Sequence, residues 1–312
     1  MNNLQSLIFF LLALALLPHM ACASDEKLVE LNFPSDISYG KLYKVTPANG
    51  DQGYMLKTAG QPFAVARGKV QLPEGCNMAQ LELSYAAAQH LDALKNVGHS
   101  LVGLSVLLDD FDDGALLKIG AMPQLRYLNI TDNDITDKGL MAIGKLTNVQ
   151  MLFANSLEIT GAGVMKTAWP QSLTILSLGT NKLGDDCMQK FVGLKNLRHV
   201  CVGRASLTDA GAKLLAQNHN ITNIEIPDNN ITDKGVAYFA AMPKLQHLDI
   251  THTSVTDRSL TELQNVKTLH SVRLSPRNFS PEAMAKFRKA RPNCILEAIG
   301  PRAEPELFRP LH

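Results

Sequence analysis

The sequence predicts an α/β fold. The expected form is a right-handed solenoid bent into a horseshoe arc, with a parallel β-sheet on its concave face, short helices on its convex face and a β-rich N-terminal cap. Three observations predict it. First, Leu101, Leu125, Val149, Leu173, Leu197, Ile221, Leu245 and Leu269 stand 24 residues apart, without insertion or deletion. A fixed period of that length means one small unit stacked on copies of itself. Second, three more columns keep the same register at offsets three, five and ten, as in Leu128, Ile130 and Ile135. All thirty-two positions are apolar in a chain that is 46% hydrophobic. Third, each apolar strand pattern leads into a polar turn and a helix-start signal.

Offsets three and five alternate with variable residues, which is the strand period of two. Such a strand is too short to form a sheet alone, so neighbouring repeats must pair in parallel. Turn residues follow, such as Asn133-Asp134 and Asn229-Asn230. Ile-Thr-Asp-Lys-Gly then recurs at 135–139 and 231–235. Thr136, Thr160, Thr208, Thr232 and Thr256 are placed to cap helices, and the following Asp suits a first helical turn. Leu140, Ile143 and Leu146 continue on one helix face.

The strand motif Leu125-x-x-Leu128-x-Ile130 and the stretch Ile135-Thr-Asp-Lys-Gly-Leu140 resemble those of leucine-rich repeat proteins. The variant is most similar to secreted bacterial repeat proteins with "ITD-x-GL" units, many from planctomycetes. The resemblance covers about residues 78–298 and implies the solenoid fold and a role in binding other proteins; it names no ligand. Repeat 149–172 departs with Gly161 and Pro170, and repeat 269–292 with Ser280-Pro281. Local irregularity is expected there, not a break.

Flanking segments set the organisation. Leu7–Leu17 is an uninterrupted apolar run, too short for a membrane span of about 20 residues. It ends at Pro18 and Ala21-Cys22-Ala23, so residues 1–23 read as a signal peptide cleaved after Ala23, giving a secreted or periplasmic protein. A buried N-terminal helix and a lipid anchor on Cys22 are the alternatives. Residues 24–77 read as a β-rich cap, with strands expected at Val29–Phe33, Lys41–Thr46 and Phe63–Leu72. A cap is needed because an open solenoid end exposes core and an unpaired strand. A degenerate first repeat begins at Met78, and residues 299–312, with three prolines, form a tail.

A formal net charge of +1 argues against nucleic acid as the main partner. After cleavage four cysteines remain: Cys76, Cys187, Cys201 and Cys294. Cys76 and Cys294 lie at opposite ends of the array, roughly 40 Å apart at the strand spacing, and a disulfide needs Cα atoms within about 7 Å. Four free thiols are expected, with Cys187 in the core. Four N-x-[ST] sequons, at Asn129, Asn220, Asn230 and Asn278, are what repeats rich in Asn and Thr generate, and a bacterial source without glycans is the expectation.

No catalytic motif, phosphate-binding loop or paired C-x-x-C is present, so no catalytic residue, metal or cofactor is assigned. The informative positions flank the buried strand residues and face the concave side. There, Leu107, Leu108, Tyr127, Met151, Phe153 and Ile175 make an apolar N-terminal half. His199, Arg204, Glu225, Asp228, His247, Asp249, His252 and Arg273 make a charged C-terminal half. Apolar groups beside polar ones mark a protein-binding surface, so a monomeric module with a protein partner is expected. Two other readings stay open. One is a metal, ligand or acid–base site at His247, Glu225, Asp249 and His252, against which stands simple cross-strand pairing of Arg204 with Asp228, Arg273 with Asp249 and His247 with Glu225. The other is a purely structural role at the envelope.

Overall fold

A computed structural model describes residues 29–45, 61–106 and 111–300. The proposed signal segment, its cleavage point and Cys22 lie outside the described residues, as do Leu107, Leu108 and residues 301–312 of the tail. Ten strands follow the repeat: β5 (Ala79–Leu83), β6 (Leu101–Ser105), β7 (Tyr127–Asn129), β8 (Met151–Phe153), β9 (Ile175–Ser177), β10 (His199–Cys201), β11 (Asn223–Glu225), β12 (His247–Asp249), β13 (Ser271–Leu274) and β14 (Ile295–Ala298). Each pairs in parallel with its sequence neighbours. From β6 to β14 the register is one repeat: Leu128 faces Leu152, and Leu152 faces Leu176.

The thirty-two columnar residues are the core. None is more than 7% exposed. Strands stack about 4.8 Å apart, whereas packed helices need about 8–10 Å. The helical side is therefore the longer one, which bends the sheet into the concave face of an arc.

At the N-terminal end two further strands, β2 (Gly40–Lys44) and β3 (Ala64–Val65), extend the sheet antiparallel, β2 on β5 and β3 on β2. A separate antiparallel pair joins β1 (Glu30–Asn32) and β4 (Lys69–Gln71). Leu31, Phe33, Tyr39, Leu42 and Leu72 merge into the repeat core. The single strand expected over Phe63–Leu72 is in fact two. Gly68 at φ 61° turns the chain between them, so that β3 reaches β2 while β4 reaches β1. Thr46, at the end of the second expected strand, lies outside the described residues.

Each of the five threonines named above caps its helix, its Oγ1 accepting from the N–H two residues on. The neighbouring Asp does more than complement a helix dipole. Asp113, Asp137, Asp185, Asp209, Asp233 and Asp257 each bond the cap residue of the next repeat (Thr136, Thr160, Thr208, Thr232, Thr256 and Ser280). The cap N–H donates to Oδ1 at 2.7–2.9 Å and the cap hydroxyl to Oδ2 at 2.6–2.7 Å. This two-point clasp explains the glycine of the motif. A Cβ on Gly139, Gly163, Gly211 or Gly235 would lie 2.1–2.5 Å from the clasping Asp Oδ1. Ser259 replaces the glycine in one repeat, and its hydroxyl donates to Asp233 Oδ1. Burial alone would raise the Asp233 pKa, but the bonds from Ser259 and Thr256 outweigh it and hold the carboxyl below its ordinary value.

The clasp is missing at one joint, where both of its partners are replaced together: Gly161 stands for the Asp and Gly184 for the Thr. A Cβ on Gly161 would lie 2.1 Å from the Leu183 carbonyl oxygen, so backbone approaches directly. Beside it Trp169 Nε1 donates to the Val164 carbonyl, and its ring meets Phe191 edge-on. Ser280 caps the helix Pro281–Ala290 in place of threonine. Both departures are local, and the sheet continues through them.

Two features close the corners after strands β7 to β12. Asp132, Ser156, Thr180, Arg204, Asp228 and His252, all at offset seven, have φ of 50–57°. Five of their N–H groups reach a backbone carbonyl of the next repeat, and that of His252 reaches Ser275 Oγ. The chain thus turns into the left-handed region without leaving the inter-repeat ladder. Asn133, Asn181 and Asn229 occupy alternate repeats, buried. Each Nδ2 serves carbonyls of its own turn and of the repeat before. Asn181 Oδ1 accepts from Leu157 N–H, and Asn229 Oδ1 from Ala205 and Leu207 N–H. One amide therefore satisfies two turns, which frees the intervening repeats to carry Leu157 and Ala205.

Gly163→Ala should destabilise the fold by about 2–4 kcal/mol in urea unfolding, because the three nearest atoms all belong to Asp137. In an Asp137→Gly background the same substitution should cost under about 1 kcal/mol; equal costs in the two backgrounds would refute steric coupling to the clasp. Thr180 is an exposed β-branched residue in the left-handed region. Thr180→Asn should stabilise by roughly 0.5–1 kcal/mol, read as a raised urea midpoint with unchanged slope.

Candidate functional site

Residues at offsets two and four of β6–β14 point away from the core and form the concave surface. Parallel register aligns them into columns, so each lies beside its counterpart on the next strand. Tyr127, Met151 and Ile175 form one such column, with Phe153 beside Asn129 and Ser177 in the other. The Tyr127 and Phe153 rings sit 5.6 Å apart, tilted by 46°. Tyr127 and Met151 are nearly buried, at 7% and 4% exposure, while Phe153 and Ile175 are partly accessible. Burial pushes the Tyr127 phenol pKa up. Gln80, itself buried, packs over Gly103 at the near end of this patch. The accessible part of this apolar patch is thus centred on Phe153 and Ile175.

Beyond Ile175 the columns turn polar and ionic. Glu225 on β11 meets His199 on β10, with Nε2 to Oε1 at 2.9 Å. Asp249 on β12 is 6% exposed and fully engaged. Its Oδ1 accepts from the Thr251 N–H and hydroxyl, and its Oδ2 from Arg273 Nη1 at 2.9 Å. Arg273 also reaches Glu297 on β14 at 3.2 Å, so an ionic ladder runs over three strands. Arg204 lies 3.4 Å from Asp228 at the corner, where both backbones are left-handed.

Two of the three expected cross-strand pairs therefore form, Arg204 with Asp228 and Arg273 with Asp249. The third does not. His247 donates to or accepts from Ser271 Oγ at 2.7 Å and lies against the His270 ring, centroids 5.9 Å apart. Glu225 turns the other way, to His199. The strand register allows either neighbour, and sequence alone holds no term that chooses between them. Burial, then the proximity of His270 and His199, lowers the His247 pKa. His252 stands at the corner, its ring nitrogen 3.4 Å from Ser275 Oγ. Among the described residues no three His, Cys, Asp or Glu side chains converge as metal ligands. His247, Glu225, Asp249 and His252 are each committed to separate partners.

Cys76, Cys187, Cys201 and Cys294 are free thiols. Cys187 is fully buried, and its pKa is pushed up to about 12, first by burial. Cys201 lies on the ionic face beside Glu225, and burial raises its pKa too. The one sequence clue that separates the Asp that clasps the next repeat from an ordinary helix-start Asp is the glycine three residues after four of the five cap threonines.

The architecture defines a leucine-rich repeat solenoid. A family model described as "Leucine Rich repeat" matches residues 122–144 and 217–240. A solved structure of internalin C2 from Listeria monocytogenes aligns at 21% identity with a TM-score of 0.36, covering 59% of this chain and 66% of that one, just under two thirds of its length. Comparison with curated proteins returns no match. No helix among the described residues is long and apolar enough to cross a membrane.

Glu225 is held below its ordinary pKa of 4.5, first by the His199 hydrogen bond, which outweighs burial. A carboxyl lowered in the fold stabilises it above that ordinary value, and the contribution is lost as pH falls through the folded pKa. His199→Ala should raise the Glu225 titration midpoint toward 4.5 in carboxyl NMR. An unmoved midpoint would show that other groups depress it.

Proposed function

We propose that this chain is an exported, non-catalytic interaction module that binds a protein partner on its concave face. The observation that supports the reading is the fixed pattern of that face: Phe153 and Ile175 partly accessible beside the charged groups His199, Glu225, Asp249 and Arg273, held on the register-aligned strands β10 to β13. Apolar anchors rimmed by ordered charges give affinity from the first and orientation from the second. The Tyr127 ring packs against Phe153 and Met151 lies beside Tyr127 in the same column, Arg204, Asp228, His247 and His252 border the rim, and Leu107 and Leu108, outside the described residues, belong to the reading on sequence alone. Export rests on the Leu7–Leu17 run and the Ala21-Cys22-Ala23 pattern, giving a mature monomer that begins at Ser24 in the periplasm or medium.

The test uses the full chain expressed with its leader. Intact mass of the exported product should match cleavage after Ala23. Affinity capture with the mature protein should return a discrete partner. Phe153→Asp should weaken its retention about tenfold or more, with far-UV circular dichroism unchanged. A partner retained equally by the folded variant would move the site off the concave face.

A further inference from the structure

The helical side carries a second column that the concave reading does not use. At offset sixteen stand Leu117, Met141 and Met165, one in each of three successive repeats. They are 48%, 51% and 41% exposed, among the most exposed large apolar residues described. The column then changes character, continuing as Gln189 and Lys213. None of the three is needed for the core, which each helix fills from its other face with residues such as Leu116, Leu140 and Val164.

Among the described residues, three lysines beside the stripe have no acidic partner, while Asp112, the nearest exposed acid, caps the helix that carries Leu117. Lys138 lies on one side, and Lys145 and Lys166 on the other, by position in the repeat. All three are exposed. Among the described residues none has a carboxylate within ion-pair distance, whereas Lys118 at the end of the stripe already pairs with Asp92. Nearby Asp113 and Asp137 are held in the inter-repeat clasps, and Asp134 and Glu158 lie in the turns that precede the helices.

We propose that the convex face of repeats 101–172 docks an acidic amphipathic helix from a partner protein. The spacing favours a helix. Adjacent repeat helices lie about 8–10 Å apart, and two helical turns of a partner, seven residues, advance about 10.5 Å. A helix laid along the solenoid can therefore set one apolar residue per heptad against each of Leu117, Met141 and Met165. A stripe one residue wide suits a cylinder with a narrow apolar seam; a lipid surface makes use of a broad apolar face. Glutamates flanking the seam would meet Lys138, Lys145 and Lys166.

The probe is a fluorescein-labelled synthetic peptide of about three heptads, with leucine along one seam and glutamate on both flanks. Fluorescence anisotropy with the full chain should show saturable binding that weakens as salt rises. Met141→Glu should weaken it about tenfold or more, and Lys145→Glu with Lys166→Glu several-fold, with circular dichroism unchanged. Met141→Gln serves if Met141→Glu loses the fold. Phe153→Asp should leave the peptide bound, which separates this surface from the concave one. The proposal is overturned by no binding to the wild-type chain, by equal binding of a peptide with lysine for glutamate, or by binding that survives the Met141 substitutions. Sedimentation with phosphatidylserine vesicles in the absence of peptide binding would also overturn it, in favour of a lipid surface.

Discussion

A strand of three residues cannot form a sheet or bury its own side chains. Every repeat of this chain depends on its two neighbours for both. An insertion within a strand would break the register that sets Leu152 between Leu128 and Leu176. The stack ends where the dependence ends, at an N-terminal strand pair turned antiparallel: β2 covers the edge of β5, and β3 covers β2.

Helical-side joints solve the same problem by different chemistry. Helices cannot share backbone hydrogen bonds, so a carboxylate takes both donors of the next cap residue. This ties three residue types together: threonine as cap and donor, aspartate as bridge, and glycine as the space the bridge occupies. The joint at Gly161 and Gly184 supports this coupling, since both partners are replaced together and the backbones then touch. Buried asparagines play the corresponding part at the strand corners, one for every two repeats.

With the core fixed by columns, function is left to positions the columns do not constrain. On the concave side these give a small apolar centre at Phe153 and Ile175, a His199–Glu225 pair and an ionic ladder from Asp249 to Glu297. On the convex side they give Leu117, Met141 and Met165. Both surfaces exist because register places equivalent residues at a constant spacing, so three or four single substitutions in different repeats become one continuous strip.

Periodicity alone determined the fold, the core and the helix starts, because each depends on contacts repeated at a constant separation: all thirty-two column residues are buried and all five threonines cap. Tertiary structure decided whatever depends on a choice between equivalent neighbours or on depth. Glu225 could turn to His199 or His247, and only the packing of His247 against His270 and Ser271 shows which. Tyr127 and Met151 read as exposed because they alternate with core residues, yet the sheet face buries them. The clasp was invisible because Asp137 and Thr160 are 23 residues apart and each already had a local reading. Local physics is written in neighbouring letters, while a bond between repeats becomes visible once the stack brings its two ends within hydrogen-bond reach.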